Sequence, residues 1–168
     1  AEFLTQVNRI DYSSATVKIN VALSEPPQFT ALPGAGIGPQ HHGTMHVCPD
    51  MDYTERAYDD AKYGKPSANP MLECTMATAL DNTLAPPGQH ILSMFIQYAP
   101  YELKGTTWEA ERERFADRCF DILNEYGPNF KKSCLHRSVI AAAYLAPVRG
   151  LGGGQPHSES LLRSLIST

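Results

Sequence analysis

Alternating apolar and polar residues predict the strands of this chain. From Thr16 to Leu23 every second residue is apolar, beginning at Val17, which is typical of an extended segment with one buried face. The segment His90–Tyr98 carries apolar residues on both faces, as expected for a strand at the centre of a sheet. Similar short stretches predict further strands at Gly43–Cys48, Met71–Met76 and Cys134–Ile140.

Two segments with a helical spacing of apolar residues lie between these strands. The first covers Asp52–Tyr63 and the second covers Thr107–Tyr126. Glycine and proline follow each segment and are expected to end the helix. Each segment begins with a pair that can form a capping box, Asp52 with Glu55 and Thr106 with Glu109.

The order of these elements predicts an α+β fold. From Gly43 onward the order is β-α-β-β-α-β, the split pattern of ferredoxin-like sheets, to which the strand at Thr16–Leu23 adds. We expect a mostly antiparallel sheet with both helices on one face, in one domain over residues 1–140. Residues 141–168 differ in composition and form an atypical tail rich in glycine and serine.

Charge and composition narrow the expected partners and compartment. The 168 residues have a net charge of −4 and no basic stripe, so nucleic acid is not an expected partner. No apolar run approaches the roughly 20 residues that a membrane-spanning helix needs, so no transmembrane segment is expected. The four cysteines are scattered without a CxxC pair, which favours a reducing, intracellular compartment. The opening at Ala1, without an initiator methionine, predicts an internal piece of a longer protein.

Histidines and a cysteine near the second strand raise the question of a metal site. On one face of an extended strand, His42, His46 and Cys48 offer imidazole and thiol ligands suited to zinc. A further ligand pair at the usual spacing is missing, so a polar strand edge is the competing interpretation and no metal is assigned. The glycine runs at Gly34–Gly38 and Gly150–Gly154 lack the flanking strand and helix of a dinucleotide-binding motif.

No residue can be assigned a catalytic role from its pattern. The sequence contains no GxSxG elbow and no recognisable pairing of a nucleophile with a histidine. Tyr98, Tyr101 and Trp108 either line an apolar substrate pocket or close the core where the strand meets the helix.

Five stretches occur in order along the chain and carry a resemblance to a known family: GPQHHGTMH at residues 38–46, YDDAKYG at 58–64, LAPPG at 84–88, QYAPY at 97–101 and YGPNF at 126–130. Together they resemble the FAD-dependent oxidoreductases that are like phytoene desaturases and amine oxidases. Within that family the closest subgroup is that of pyridine nucleotide-disulphide oxidoreductase domain-containing proteins. The resemblance covers roughly Phe3 to Ile140.

The resemblance implies that different segments of a larger flavoprotein have different roles. In that family an N-terminal Rossmann segment and a glycine-rich C-terminal segment hold FAD, while an intervening α+β domain covers the flavin and shapes the substrate cavity. This chain resembles the intervening domain. Its stretch Pro147–Leu151 resembles the start of the C-terminal flavin segment, but the family's N-terminal fingerprint is absent and the glycine segment is shortened. The chain alone is therefore expected to bind no FAD and to be inactive. The cofactor-binding residues implied by the resemblance are Arg149, Gly150, Gly152 and Gly153.

The substrate-binding candidates are His41, His42, Tyr98 and Tyr101. The full protein is expected to oxidise C–H or C–N bonds of a small apolar or amine-like substrate, in the cytoplasm or the mitochondrial matrix. The alternative is a non-catalytic protein-interaction module or a truncated isoform, and a metal-binding domain ranks third. The expected partner is the missing flavin-binding domain or another protein. A domain separated from that partner should expose an apolar patch beside His41 and His42.

Overall fold

A computed structural model describes residues 2–7, 9 and 15–141, and it shows an antiparallel sheet of five strands with four helices. The predicted α+β class is confirmed. The strands are β1 (Thr16–Leu23), β2 (Met45–Val47), β3 (Met71–Met76), β4 (His90–Gln97) and β5 (Cys134–Ala141). The helices are α1 (Glu2–Val7), α2 (Met51–Lys62), α3 (Trp108–Tyr126) and α4 (Phe130–Ser133).

The pairing of the strands differs in part from the predicted ferredoxin-like pattern. The spatial order is β2-β3-β4-β1-β5, and every neighbouring pair is antiparallel. Because β1 lies between β4 and β5, the unit β4-α3-β5 is a split β-α-β unit, although the strand between its two strands is β1 and not one of the predicted core strands. The other half departs from the prediction, since β2 and β3 are direct antiparallel neighbours although α2 connects them. The predicted order of elements is confirmed, and the ferredoxin-like pairing of the first half is wrong.

The hydrophobic core lies between one face of the sheet and α3. Val17 of β1 lies opposite Ile96 of β4, and Ile19 lies opposite Met94, and all four side chains are fully buried. Burial of such side chains is the dominant favourable term in folding, at roughly 1.5–3 kcal/mol each. The buried residues of α3 are Trp108, Phe115, Ala116, Cys119, Phe120 and Leu123.

Helix α2 lies beside α3 on this same face of the sheet. Tyr53 of α2 is near Cys119 and Tyr126 of α3, and its phenol donates a hydrogen bond of 2.9 Å to the carbonyl of Pro70. Burial first, and the neighbouring ionisable groups second, together raise the pKa of Tyr53 to about 12. Both long helices therefore cover the core face, and neither covers the opposite face of the sheet.

The predicted capping boxes of the two long helices are wrong. The residue that caps α2 is Asp50, whose carboxylate accepts a hydrogen bond of 2.7 Å from the backbone N–H of Tyr53. Asp50 is extended and stands directly before the first helical residue, so its carboxylate, rather than that of Asp52, meets the free N–H groups. At α3 the cap position is Thr107, whose side chain makes no capping hydrogen bond.

Candidate functional site

The face of the sheet turned away from α2 and α3 is the candidate site, and we call it the open face. Its residues alternate with those of the core, so they project to the other side. The strand register places Lys18 opposite Phe95 and Asn20 opposite Ser93 on β4, and Lys18 opposite Ile140 on β5. The side chain of Phe95 is 39% exposed, which is unusual for a ring on a central strand.

Lys18 is the charged group at the middle of the open face. Its ammonium donates a hydrogen bond to the hydroxyl of Ser93, which lies diagonally across on β4. The flanking side chains on the two neighbouring strands are those of Phe95 and Ile140. Burial lowers the pKa of Lys18 below its ordinary value of 10.5 because the charged form loses water contacts. The amine is thus a fixed hydrogen-bond donor that gives up its proton more readily than an exposed lysine.

Asn20 places an unpaired donor beside this lysine. Its Nδ2 is buried and has no hydrogen-bond partner among the residues that the structure describes. Buried polar groups are almost always paired, so an unpaired amide points to a ligand, a water molecule or another protein surface. Lys18 and Asn20 both carry N–H donors on this face, and the protein itself covers the Nδ2 of Asn20.

Sequence patterns missed this site because its parts are far apart in the chain. Lys18 and Ser93 are 75 positions apart, and only the antiparallel pairing of β1 with β4 brings them together. The available signal was modest: a lysine and an asparagine on the alternate positions of an otherwise apolar strand.

His41 and His42, two of the predicted substrate-binding residues, lie in a loop that His41 holds in place. The ring of His41 is 1% exposed, with Nε2 at 2.8 Å from the carbonyl of Pro27 and Nδ1 accepting a hydrogen bond of 2.9 Å from Gly38 N–H. His42 is exposed, and its Nδ1 is 3.1 Å from the carbonyl of Gly38. Both ring nitrogens of His41 are occupied by backbone groups, so its contacts are those of a structural residue.

Tyr98 and Tyr101 lie elsewhere. The ring of Tyr98 packs edge-on against Tyr58 of α2, with 5.3 Å between the ring centroids, and Tyr101 is half-buried in the following turn. His41 is near His90, the first residue of β4, whereas Tyr98 follows its last residue. An eight-residue strand separates its two ends by about 24 Å. The structure therefore does not bring the two pairs into one small-molecule site, and their substrate-binding role stays a prediction for two separate places.

The candidate metal ligands are not brought together. Among the described residues no group of three or more histidine, cysteine, aspartate or glutamate side chains is placed to hold a metal ion. The thiol of Cys48 instead lies 2.8 Å from the hydroxyl of Thr54, and His46 projects to solvent from β2. The predicted cofactor-binding residues, Arg149, Gly150, Gly152 and Gly153, lie outside the described residues.

Comparison with known proteins points to oxidoreductase-domain proteins. The chain is similar to pyridine nucleotide-disulfide oxidoreductase domain-containing protein 2 of the mouse (Mus musculus), with 41% identity over 158 positions. The protein of the same name from the rat (Rattus norvegicus) is 40% identical over 158 positions. Each comparison covers 90% of this chain, and the chain spans only 27% of the length of each relative. No protein-family model matches the chain.

These relatives support the oxidoreductase resemblance of the sequence motifs, whereas the likeness to phytoene desaturases and amine oxidases stays a prediction. Within the part of the chain that the structure describes, none of the helices has the length and apolar character needed to cross a membrane.

Proposed function

We propose that this chain is the substrate-covering domain of an FAD-dependent oxidoreductase that oxidises C–H or C–N bonds. The observation that carries the proposal is the open face, where a half-buried lysine and an unpaired buried amide project from the side of the sheet that α2 and α3 leave uncovered. The similarity to oxidoreductase-domain proteins supports it, and the 27% share of their length agrees with one domain of a larger enzyme.

The donor set of the open face fits a flavin. The isoalloxazine ring presents carbonyl oxygens and ring nitrogens as acceptors, and the N–H groups of Lys18 and Asn20 match them in kind. Bound FAD would supply the chemistry by accepting a hydride from the substrate. We propose that the cofactor is held chiefly by the rest of the enzyme, with Arg149, Gly150, Gly152 and Gly153 of this chain at its edge.

The residues of the open face then perform positioning tasks. Lys18 and Asn20 orient the acceptor group that faces them, while Phe95 and Ile140 give an apolar surface that excludes water from a small apolar or amine-like substrate. The phytoene-desaturase-like substrate class and a location in cytoplasm or mitochondrial matrix belong to this proposal.

The alternative is a non-catalytic interaction module. It is favoured by the loop that leads to His41, where Leu32 is 49% exposed and Ile37 is 37% exposed. Apolar side chains of this kind beside His41 and His42 agree with the patch that we expect on a domain separated from its partner. The partner would be the flavin-binding domain or another protein.

The test of the proposal is a substitution in the full-length oxidoreductase that carries this domain. In that protein Lys18→Met should leave the flavin content unchanged and lower the rate of flavin reduction by an amine or polyene substrate about tenfold or more, since a positioned donor is lost. The matched control is Lys132→Met, which removes an exposed lysine of α4. A full-length protein without flavin, or equal rates for the two variants, would contradict the proposal.

A further inference from the structure

A charged groove lies on the helix side of the molecule, away from the open face. It is formed by the end of α2, the loop that follows α2 and the first half of α3, and its volume is about 370 Å³. That volume is within the range of small-molecule sites. Its apolar lining includes Pro66 and the largely buried Phe115, and its charged lining residues are Asp60, Lys65, Glu111, Arg114 and Arg118.

The two carboxylates of the groove already have partners. Asp60 Oδ2 accepts a hydrogen bond of 2.8 Å from the backbone N–H of Ala68. Glu111 pairs with Arg114 at 3.2 Å and accepts a hydrogen bond of 3.5 Å from the hydroxyl of Thr106. Glu111 is thus paired with one guanidinium group of the groove, and Asp60 is held by a backbone N–H and keeps its charge.

Two cations remain without a carboxylate partner among the described residues. Arg118 is half-buried and donates one hydrogen bond of 3.0 Å, from Nη1 to the carbonyl of Ser67, which leaves most of its five N–H donors unused. The ammonium of Lys65 is exposed and pairs with no carboxylate of the described residues. A guanidinium held in place by a backbone carbonyl is well suited to bind a planar or tetrahedral oxyanion in a two-pronged manner.

We propose that this groove binds a small organic anion, with a carboxylate or phosphate on Arg118 and Lys65 and an apolar body against Phe115 and Pro66. The chemistry that selects the ligand has two parts. The two cations without a carboxylate partner favour an oxyanion, and the apolar lining residues Pro66 and Phe115 favour a hydrocarbon group next to it over inorganic salt. The groove uses no residue of the open face, so the proposal does not depend on the proposed flavin chemistry.

The experiment is a titration of the purified chain at constant ionic strength, followed by calorimetry and by backbone amide NMR shifts. The probes are benzoate, phenyl phosphate and the neutral benzamide. We expect saturable binding of both anions with shifts at residues 65–68 and 106–118, and no binding of benzamide at the same concentrations. The stronger of the two anions then identifies the preferred oxyanion.

Variants assign the binding to the groove. Lys65→Gln should weaken benzoate binding about two- to fivefold, as expected for one exposed charge. Arg118→Gln should weaken it about tenfold or more, because a charged hydrogen-bond pair is lost, and Arg118→Lys should fall between. The control Lys132→Gln removes the same charge outside the groove and should bind like the unmodified chain.

Equal binding of benzamide, no saturable binding, or an equal loss in Lys65→Gln and Lys132→Gln would each overturn the proposal. If Arg118→Gln does not fold, the comparison of the two lysine variants still decides, since both residues are exposed.

Discussion

His41 ties the loop before β2 to the rest of the domain through both of its ring nitrogens, which meet the carbonyl of Pro27 and the N–H of Gly38. Replacing it with alanine leaves the buried carbonyl of Pro27 and the half-buried N–H of Gly38 unpaired, so His41→Ala should lower the free energy of unfolding by about 1–3 kcal/mol. The neighbouring His42 is exposed, and His42→Ala should change it by less than about 0.5 kcal/mol. Urea denaturation of the two variants measures the difference, and equal losses would contradict the structural role of His41.

His90 makes stability depend on acidity. Burial lowers its pKa from 6.5, and the nearby His41 lowers it further, so the folded state binds a proton less readily than the unfolded state. Stability present above about pH 6.5 should therefore be lost as the pH falls from that value toward the lowered folded pKa. His90→Gln removes this pH-dependent part of the free energy of unfolding. His46→Gln changes an exposed residue of β2 and retains it. Denaturation between about pH 8 and pH 5 checks this, and a constant difference between His90→Gln and the unmodified chain would contradict it.

At the scale of elements, Arg137 joins the edge strand β5 to helix α3. Its guanidinium contacts Asp117 at 2.6 Å and Glu113 at 2.9 Å and lies 5.1 Å from the ring centre of Phe120. Because both carboxylates are exposed, Arg137→Met should cost only about 1 kcal/mol at low salt, and less in high salt. Lys131→Met, which breaks a single exposed pair with Asp121, should cost less. Denaturation in low and high salt tests the ranking, and the reverse order would show that Arg137 does not link the two elements.

The reactivity of each cysteine shows whether the element that carries it stays inaccessible to reagent in the native state. Cys74 of β3 and Cys119 of α3 are fully buried, and burial raises the pKa of the Cys74 thiol to about 12 and that of Cys119 as well. Cys48 and Cys134 are half-buried. Iodoacetamide should therefore modify Cys48 and Cys134 first, and the other pair only in denaturant. Peptide mass spectrometry distinguishes the sites, and native modification of Cys74 at the rate of Cys48 would show that the core opens.

The local pattern of apolar and polar residues predicted most of the helices and strands, because the sheet has one buried face. The bounds of β1 and β3 are those expected, since alternation alone fixes which side of such a strand is buried. The short helix α4 and the cap at Asp50 were missed, because one helical turn has no periodicity and several acidic residues compete for the cap. The position of β1 between β4 and β5 was also missed, because pairing between distant segments of the chain produces no pattern in the local sequence.

At the scale of the whole molecule, the same limit applies to the candidate site. Motifs drew attention to His41 and Tyr98, which lie near opposite ends of β4, whereas the open face is assembled from Lys18, Asn20 and Ser93 across paired strands. The functional expectation came from the resemblance of five stretches, and the relatives support it at the level of an oxidoreductase domain. The tail at residues 141–168 stays a prediction, since it lies outside the described residues.

The proposed role of the domain is tested most directly by a visible absorption spectrum of the purified chain after addition of FAD and gel filtration, beside that of the full-length protein that carries it. We expect no flavin bands with the chain alone and stoichiometric FAD in the full-length protein, bleached by substrate under anaerobic conditions. Tightly bound FAD on the isolated chain would contradict the proposal that the cofactor is held chiefly by the rest of the protein. A full-length protein that binds no FAD would contradict the oxidoreductase assignment and favour the interaction module.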